Sequence, residues 1–464
     1  MPIDRPRTVI TTDGEQDDEN SFIHYLTYAN EFNTVGIIYS DSQWHWAGDG
    51  KGTVFDGFGG PTTSFRWDGT TWIQQLVGLY GQEYPDFKSH DPGYPTPQQL
   101  LSTVRIGNID FPGEMTQDTP GSDLIKKLLL DNVPGPLYLQ AWGGLNTITR
   151  ALKSIQDQYE NTPEWPAIYA KVSHKAVIEA SGFQDAPSNL YKSYLAVDWP
   201  NLEVINGANG YAAWGYPAPS NKIAADQLYY SGAWMKQNIK DAGPLGQAEF
   251  TYGDGHWNGD PAYTQWDGTS EPEYSFVSEG DDVAFMGLIN TGLQSPDPTA
   301  GGWGGRFQLA PGTTNYYIDV PGDIYADGTV KGAYDWTRWV PAAMEDFAAR
   351  LQWGITPARI DRTSEPIITP LGLTNLRVRP GQTVPLAAVA YAPGGDQLTT
   401  QWWQYRDLGT YPGVASASPS NSLRTTVTVP ADASPGQTIE MILQVSTATS
   451  PSMTRYERVR LTVS

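Results

Sequence analysis

Apolar strand-like segments alternate with amphipathic helical ones along residues 1–365, and then the alternation stops. That change of texture constrains the fold more than any other feature. Arg7 to Thr12 and Val35 to Tyr39 read as strands. Between them, Glu19 to Ala29 carries Phe22, Ile23 and Leu26 at helical spacing. Further strands are expected at 136–140, 176–179 and 202–205, and helices at 122–130, 146–159, 282–290 and 342–353. Such alternation predicts an α/β fold, an open and mainly parallel sheet with helices on both faces. Ligands of these sheets sit beyond the carboxyl ends of the strands.

Past residue 365 the segments 383–390, 398–405, 423–429, 437–445 and 455–463 alternate apolar with polar residues and are separated by Pro, Gly, Ser and Asn. They predict an all-β sandwich of immunoglobulin-like size. Charge divides at the same place, with a net of −24 over residues 1–365 and +2 over 366–464. Two domains are expected, 1–360 and 366–464, with a linker between Thr356 and Gly372.

The whole-chain charge of −22 repels phosphate backbones and anionic lipid, which argues against a nucleic-acid polymer or a membrane as partner. No run of 18 apolar residues is present, so no transmembrane helix is expected. Cysteine is absent, which removes disulfides and thiolate chemistry. The 17 Trp and 26 Tyr suit a carbohydrate, whose C–H faces pack on rings, although many such rings fill cores. A homo-oligomer is possible. Met1 to Arg7 has no apolar leader, which implies a cytoplasmic protein if that N-terminus is native and an extracellular one if a leader was trimmed.

The sharpest chemical signal is Thr12-Asp-Gly-Glu-Gln-Asp-Asp-Glu19, placed directly after the first strand. Five carboxylates in eight residues repel one another unless a cation sits among them, and calcium takes six to eight oxygen ligands. The same run also suits an acidic turn opening a helix, since acids favour the first helical turn.

This strand–TDGEQDD–helix segment resembles the Asp-x-x-x-Asp-Asp signature of the nucleoside hydrolases. More closely, the first 360 residues are similar to the cellulose-binding, nucleoside-hydrolase-like proteins of bacteria and fungi, through HDPGYP (90–95), GSDLI (121–125), AWGGLNTITRAL (141–152), EGDD (279–282) and GGWGGR (301–306). WWQYRDLGTY (402–411) and VPADASPGQTIEMIL (429–443) resemble the β-sandwich that follows in the same proteins. The resemblance implies a calcium ion held by Asp13, Asp17, Asp18, Asp281 and the backbone carbonyl of Asn146, with Asp13 also acting as general base. It implies hydrolysis of a glycosidic bond in a furanoside or other cis-diol sugar. A non-catalytic carbohydrate binder and a true nucleoside hydrolase are the alternatives. The family's usual Asp two positions before Asp13 is Thr11, its Pro-Gly is Gly14-Glu15, and its purine-protonating His is Gly280. The last difference makes an O-glycoside attractive, protonated by Glu279 or Asp185.

Gln43, Trp44, His45, Trp142, Gln184 and Arg306 are the candidate substrate contacts, the first three because they follow the second strand. Each has an ordinary structural reading as well, as a buried ring, a turn or a carboxylate partner. His90 and His256 read as structural hydrogen-bonding groups, and the acidic, aromatic stretch 251–276 as the mouth of a pocket. Trp402 and Trp403 alternate across a strand, so one is expected in the core and one in solvent.

Overall fold

The computed structural model describes residues 5–220, 223–255 and 271–464. His256, Trp257 and most of the stretch around them lie outside the described residues. The first strand, β1 (Arg7–Thr12), alternates between the two sheet faces. Val9 enters one apolar core and Ile10 the other. It lies between β2 (Asn33–Tyr39) and the strand Leu137–Ala141, parallel to both. The eight strands run in the order Val104–Ile106, β2, β1, Leu137–Ala141, Ala176–Ala180, Glu203–Asn206, Tyr316–Asp319, Phe307–Leu309. Only the last pair is antiparallel.

Helices cover both faces, as the alternation predicts. On one face lie α1 (Gln16–Thr27), Trp72–His90 and Val340–Ile355. On the other lie Pro120–Leu130, Asn146–Tyr159 and Trp165–Lys175. The helix expected over 282–290 does not form. Two short 3-10 turns, Gly280–Ala284 and Met286–Leu288, take its place. Asp281, Asp282 and Phe285 are each pulled to a different buried site there, and a regular helix would not satisfy all three.

The C-terminal part packs two four-stranded sheets around their own core. Part of the expected linker belongs to it, because Ile367–Pro370 pairs with the strand Thr383–Tyr391. Trp402 is in the core, as alternation requires. Trp403 faces the α/β part rather than water, with the Arg338 guanidinium 4.8 Å from its ring. Ile442, Met453, Tyr405 and Tyr456 join the same apolar cluster as Phe347 and Trp339, so the two parts share a core. Two ionic knots reinforce the junction. Asp346 accepts from Arg350 of its own helix (3.0 Å), Arg455 of the sandwich (2.7 Å) and the Tyr28 hydroxyl (2.7 Å). Asp323 accepts from Arg306 (2.7 Å), Arg338 (3.2 Å) and the Tyr405 hydroxyl (2.7 Å).

Candidate active site

The chain leaves β1 at Thr12 near the middle of the sheet and turns into α1 through Asp13, Gly14 and Glu15. The turn needs its glycine. Gly14 has φ +80°, and a Cβ there would lie 2.7 Å from Trp72 Nε1. Asp17 and Asp18 fall in the first turn of α1, where the helix dipole favours negative charge. Asp18 is fixed by the Thr12 hydroxyl and by the Asp13 N–H at 3.2 Å.

Asp281 arrives from the opposite side. Its N–H donates to Ser21 Oγ at 3.1 Å, one turn along α1 from Asp17. Oxygens of Asp17, Asp18 and Asp281 thereby lie within 4.8 Å of one another, and all three residues are at least 97% buried. Asp13 lies beside them, with the Ser42 hydroxyl alongside it as the Ser181 hydroxyl is beside Asp281. Even so, neither oxygen of Asp13 or of Asp281 has a well-formed hydrogen bond among the described residues.

Burial first, and then the neighbouring carboxylates, push Asp13, Asp17 and Asp281 well above the usual carboxylate range. Such a cluster must take up protons or a cation. Its donors are all oxygens, four of them unsatisfied, which fits a metal ion of the hard class.

The mouth joins Glu15 and His45, both singled out by the sequence, to tyrosines that were not. Glu15 accepts from the Tyr216 hydroxyl at 3.0 Å and lies 3.7 Å from His45 Nε2. Burial and Asp18 raise Glu15 to about 7, while burial and Arg66 lower His45 to about 4. Tyr211 stands over the carboxylates and explains the glycine at 280. A Cβ on Gly280 would lie 2.4 Å from Asp17 Oδ2 and 2.9 Å from the Tyr211 ring, so the tyrosine fills the space a side chain would need. Asp41, on the turn after β2, is fully buried with both oxygens unpartnered among the described residues. An acid directly after a strand was its only sequence signal. Tyr211 opens a single helical turn, Tyr211–Trp214, and Tyr216 lies in the turn after it, both too short to show a periodicity.

Several candidates do other work. Glu279 is fully buried and pairs with His24, Oε2 2.6 Å from Nδ1, in a group with Asp282 rather than with Asp17, Asp18 and Asp281. Asp185 is also fully buried and holds the Leu190 N–H. The Asn146 side chain, as distinct from the carbonyl that the resemblance assigns to the metal, is engaged elsewhere. Its Nδ2 donates to the Phe111 carbonyl (2.8 Å) and its Oδ1 accepts from the Gly113 N–H (2.9 Å). Trp142 is a core residue, 0% exposed, with Nε1 bonded to Gln140 at 3.0 Å. Arg306 belongs to the Asp323 knot.

Gln43 and Gln184 tie the mouth loops together. Gln43 accepts from the Ala186 N–H (3.0 Å), and Gln184 donates to the Trp142 carbonyl (2.8 Å). His90 is structural, stacked on Trp353 with Nε2 2.7 Å from the Thr356 carbonyl. A cavity of about 890 Å³ lies toward the amino ends of the strands, lined by Tyr138, Glu179, Glu203 and Trp303, and the acidic turn takes no part in it.

Comparison with known proteins adds the family. The nucleoside-hydrolase-like domain described as cellulose-binding Sde182 matches residues 7–307. The chain belongs to this family. The C-terminal domain described for cellulose-binding protein Sde0182 matches residues 383–463. Among solved structures, the chain is similar to a nucleoside hydrolase-related hypothetical protein from Saccharophagus degradans, described as associated with carbohydrate metabolism. That likeness has 24% identity and a TM-score of 0.73, and covers 99% of this chain and all of that one. A plant nucleoside hydrolase is matched at 11% identity and a TM-score of 0.37, over 76% of this chain and 99% of that one. No curated protein matches. The fold is therefore nucleoside-hydrolase-like, followed by all-β sheets. Among the described residues no helix is long and apolar enough to cross a membrane.

Proposed function

We propose that the chain is a calcium-dependent glycoside hydrolase acting on a furanoside or other cis-diol sugar of an oligo- or polysaccharide. The observation that carries this reading is the convergence of Asp13, Asp17, Asp18 and Asp281 at the carboxyl end of β1, buried and with four oxygens unsatisfied. A calcium ion held there supplies Lewis acidity and an anchor for neighbouring hydroxyls.

Asp13 is the base. One of its oxygens takes a proton from the water that attacks the anomeric carbon. The surrounding carboxylates stabilise the positive charge that develops on the sugar ring. As the bond from that carbon to the leaving oxygen breaks, the oxygen needs a proton. Glu15, at the mouth and held by Tyr216, is placed to give it. The absence of room for a side chain at position 280 favours an O-glycoside over a nucleoside.

The test is sugar release from nucleosides, aryl furanosides, aryl pyranosides and polysaccharides, with calcium and with chelator. Calcium-dependent release from an O-glycoside is expected. Glu15→Gln should slow substrates with alkoxide leaving groups by about a hundredfold and nitrophenyl glycosides far less, because nitrophenolate leaves unprotonated. Equal slowing of both would remove Glu15 from the role of acid. Free base released from inosine or uridine would favour a nucleoside hydrolase instead. A non-catalytic carbohydrate binder is the other reading, favoured by the family's description as cellulose-binding. Retention on a glycan with no release from any substrate would select it.

A further inference from the structure

Beyond His45 the chain forms a braced flap whose exposed rings the chemistry above does not use. Its hairpin pairs Phe55–Gly57 with Gly60–Thr62. Trp46 and Phe65 exchange both backbone hydrogen bonds, at 2.9 and 3.0 Å, and the Trp46 ring meets Phe55 at 5.6 Å. The Ala47 and Gly48 N–H groups donate to the Ile109 and Asp110 carbonyls at 2.8 and 3.0 Å. The flap is therefore built into the scaffold, and its surface is pre-organised.

At the hairpin tip Phe58 is 62% exposed. Its ring meets that of Trp44, half-buried, at 3.8 Å with the planes 67° apart. Trp44 adjoins His45, which lies 3.7 Å from Glu15, so the pair stands at the mouth of the carboxylate pocket. Arg66 and Asp68, both exposed, supply polar groups close by. A paired aromatic surface left in water beside a pocket marks a binding site. Rings offer a flat apolar face for sugar C–H groups, and the polar rim offers partners for hydroxyls. The net charge of −22 disfavours an acidic glycan.

We propose that Trp44 and Phe58 form a platform for a neutral polysaccharide chain, guiding it across the carboxylate pocket. This deepens the hydrolase reading and rests on it only for what happens in the pocket; the platform itself does not require cleavage.

Depletion from solution by microcrystalline cellulose, soluble xylan and mannan tests it with the full-length chain. The wild type should be retained on at least one of the three. Phe58→Ala and Trp44→Ala should each weaken that retention by about tenfold or more. Tyr391→Ala, which removes a ring 54% exposed on the sandwich, should leave it unchanged. Circular dichroism of Phe58→Ala checks that the chain is folded. No retention of the wild type overturns the platform, as does undiminished retention of folded Phe58→Ala or a loss confined to Tyr391→Ala. Sugar release is read separately. Phe58-dependent retention without release defeats the hydrolase reading and leaves the platform standing. Release with retention indifferent to Phe58 does the reverse.

Discussion

Replacing Asp13 by alanine should cut sugar release by about two to four orders of magnitude and raise the melting temperature of the metal-free protein. The first effect follows from losing the proposed general base, a group whose contribution is typically about a hundred- to ten-thousandfold. The second follows from crowding. Asp13 is 2% exposed, lies against Asp18 and has no well-formed hydrogen bond for either oxygen. Removing it relieves a repulsion and takes no strong bond away.

The two effects have opposite signs, and that separates a functional carboxylate from a structural one. Calcium should change the picture. Ligand at a hundred times its dissociation constant stabilises a folded protein by about 2.7 kcal/mol, so wild-type melting should climb with added calcium. The climb should be smaller in Asp13→Ala. Kinetics and calorimetry on the same preparations suffice. Undiminished turnover would place the base elsewhere, and an unchanged calcium response would take Asp13 out of the ligand set.

Asp346→Ala should destabilise the whole chain by about 3–5 kcal/mol, the cost of leaving buried charge unpaired. Asp346 is 0% exposed and takes Arg350, Arg455 and the Tyr28 hydroxyl at once. Burial alone would raise its pKa, yet the Arg455 and Arg350 guanidiniums hold the carboxyl below its usual value. Truncation leaves both guanidiniums short of a partner inside the protein. Domains are typically stable by only about 5–15 kcal/mol, so a loss of this size should move the urea midpoint far to the left. The wild type should unfold in a single transition because the junction belongs to both parts. An Asp346→Ala chain with an unshifted midpoint would show that the arginines find other acids, Glu31 and Glu365 being the nearest to hand.

The sequence was most legible where one period dominated. The helix expected at 146–159 is Asn146–Tyr159, with ten buried residues on it. The acidic turn was legible as a place but not as a use: the same run suits a helix opening, and the two readings part only where Asp281 arrives beside Asp17 and Asp18. Reading failed where a residue's role depends on a partner far along the chain. Glu279 and Asp281 are two positions apart, yet one faces His24 in the core and the other faces the pocket. No pattern in Glu-Gly-Asp-Asp states which is which. Trp142 and Trp44 are equally plausible contacts on paper, and only the sheet shows that the first is sealed beneath Phe22 and Phe285. Arg306 lies in a glycine-rich turn that invites a ligand, but Asp323 claims it from seventeen residues away.

The shared core has a practical consequence. The change in charge and texture near residue 365 invites cutting the chain there to obtain a minimal α/β fragment. Such a cut would strip Tyr405, Met453 and Tyr456 from the cluster around Trp339 and Phe347, and would take Arg455 from Asp346. The fragment would meet water with a large greasy face and with Asp346 left to Arg350 alone of its two arginines, a recipe for inclusion bodies rather than a smaller folded protein. The sandwich is better regarded as the missing wall of the first domain than as cargo on a tether.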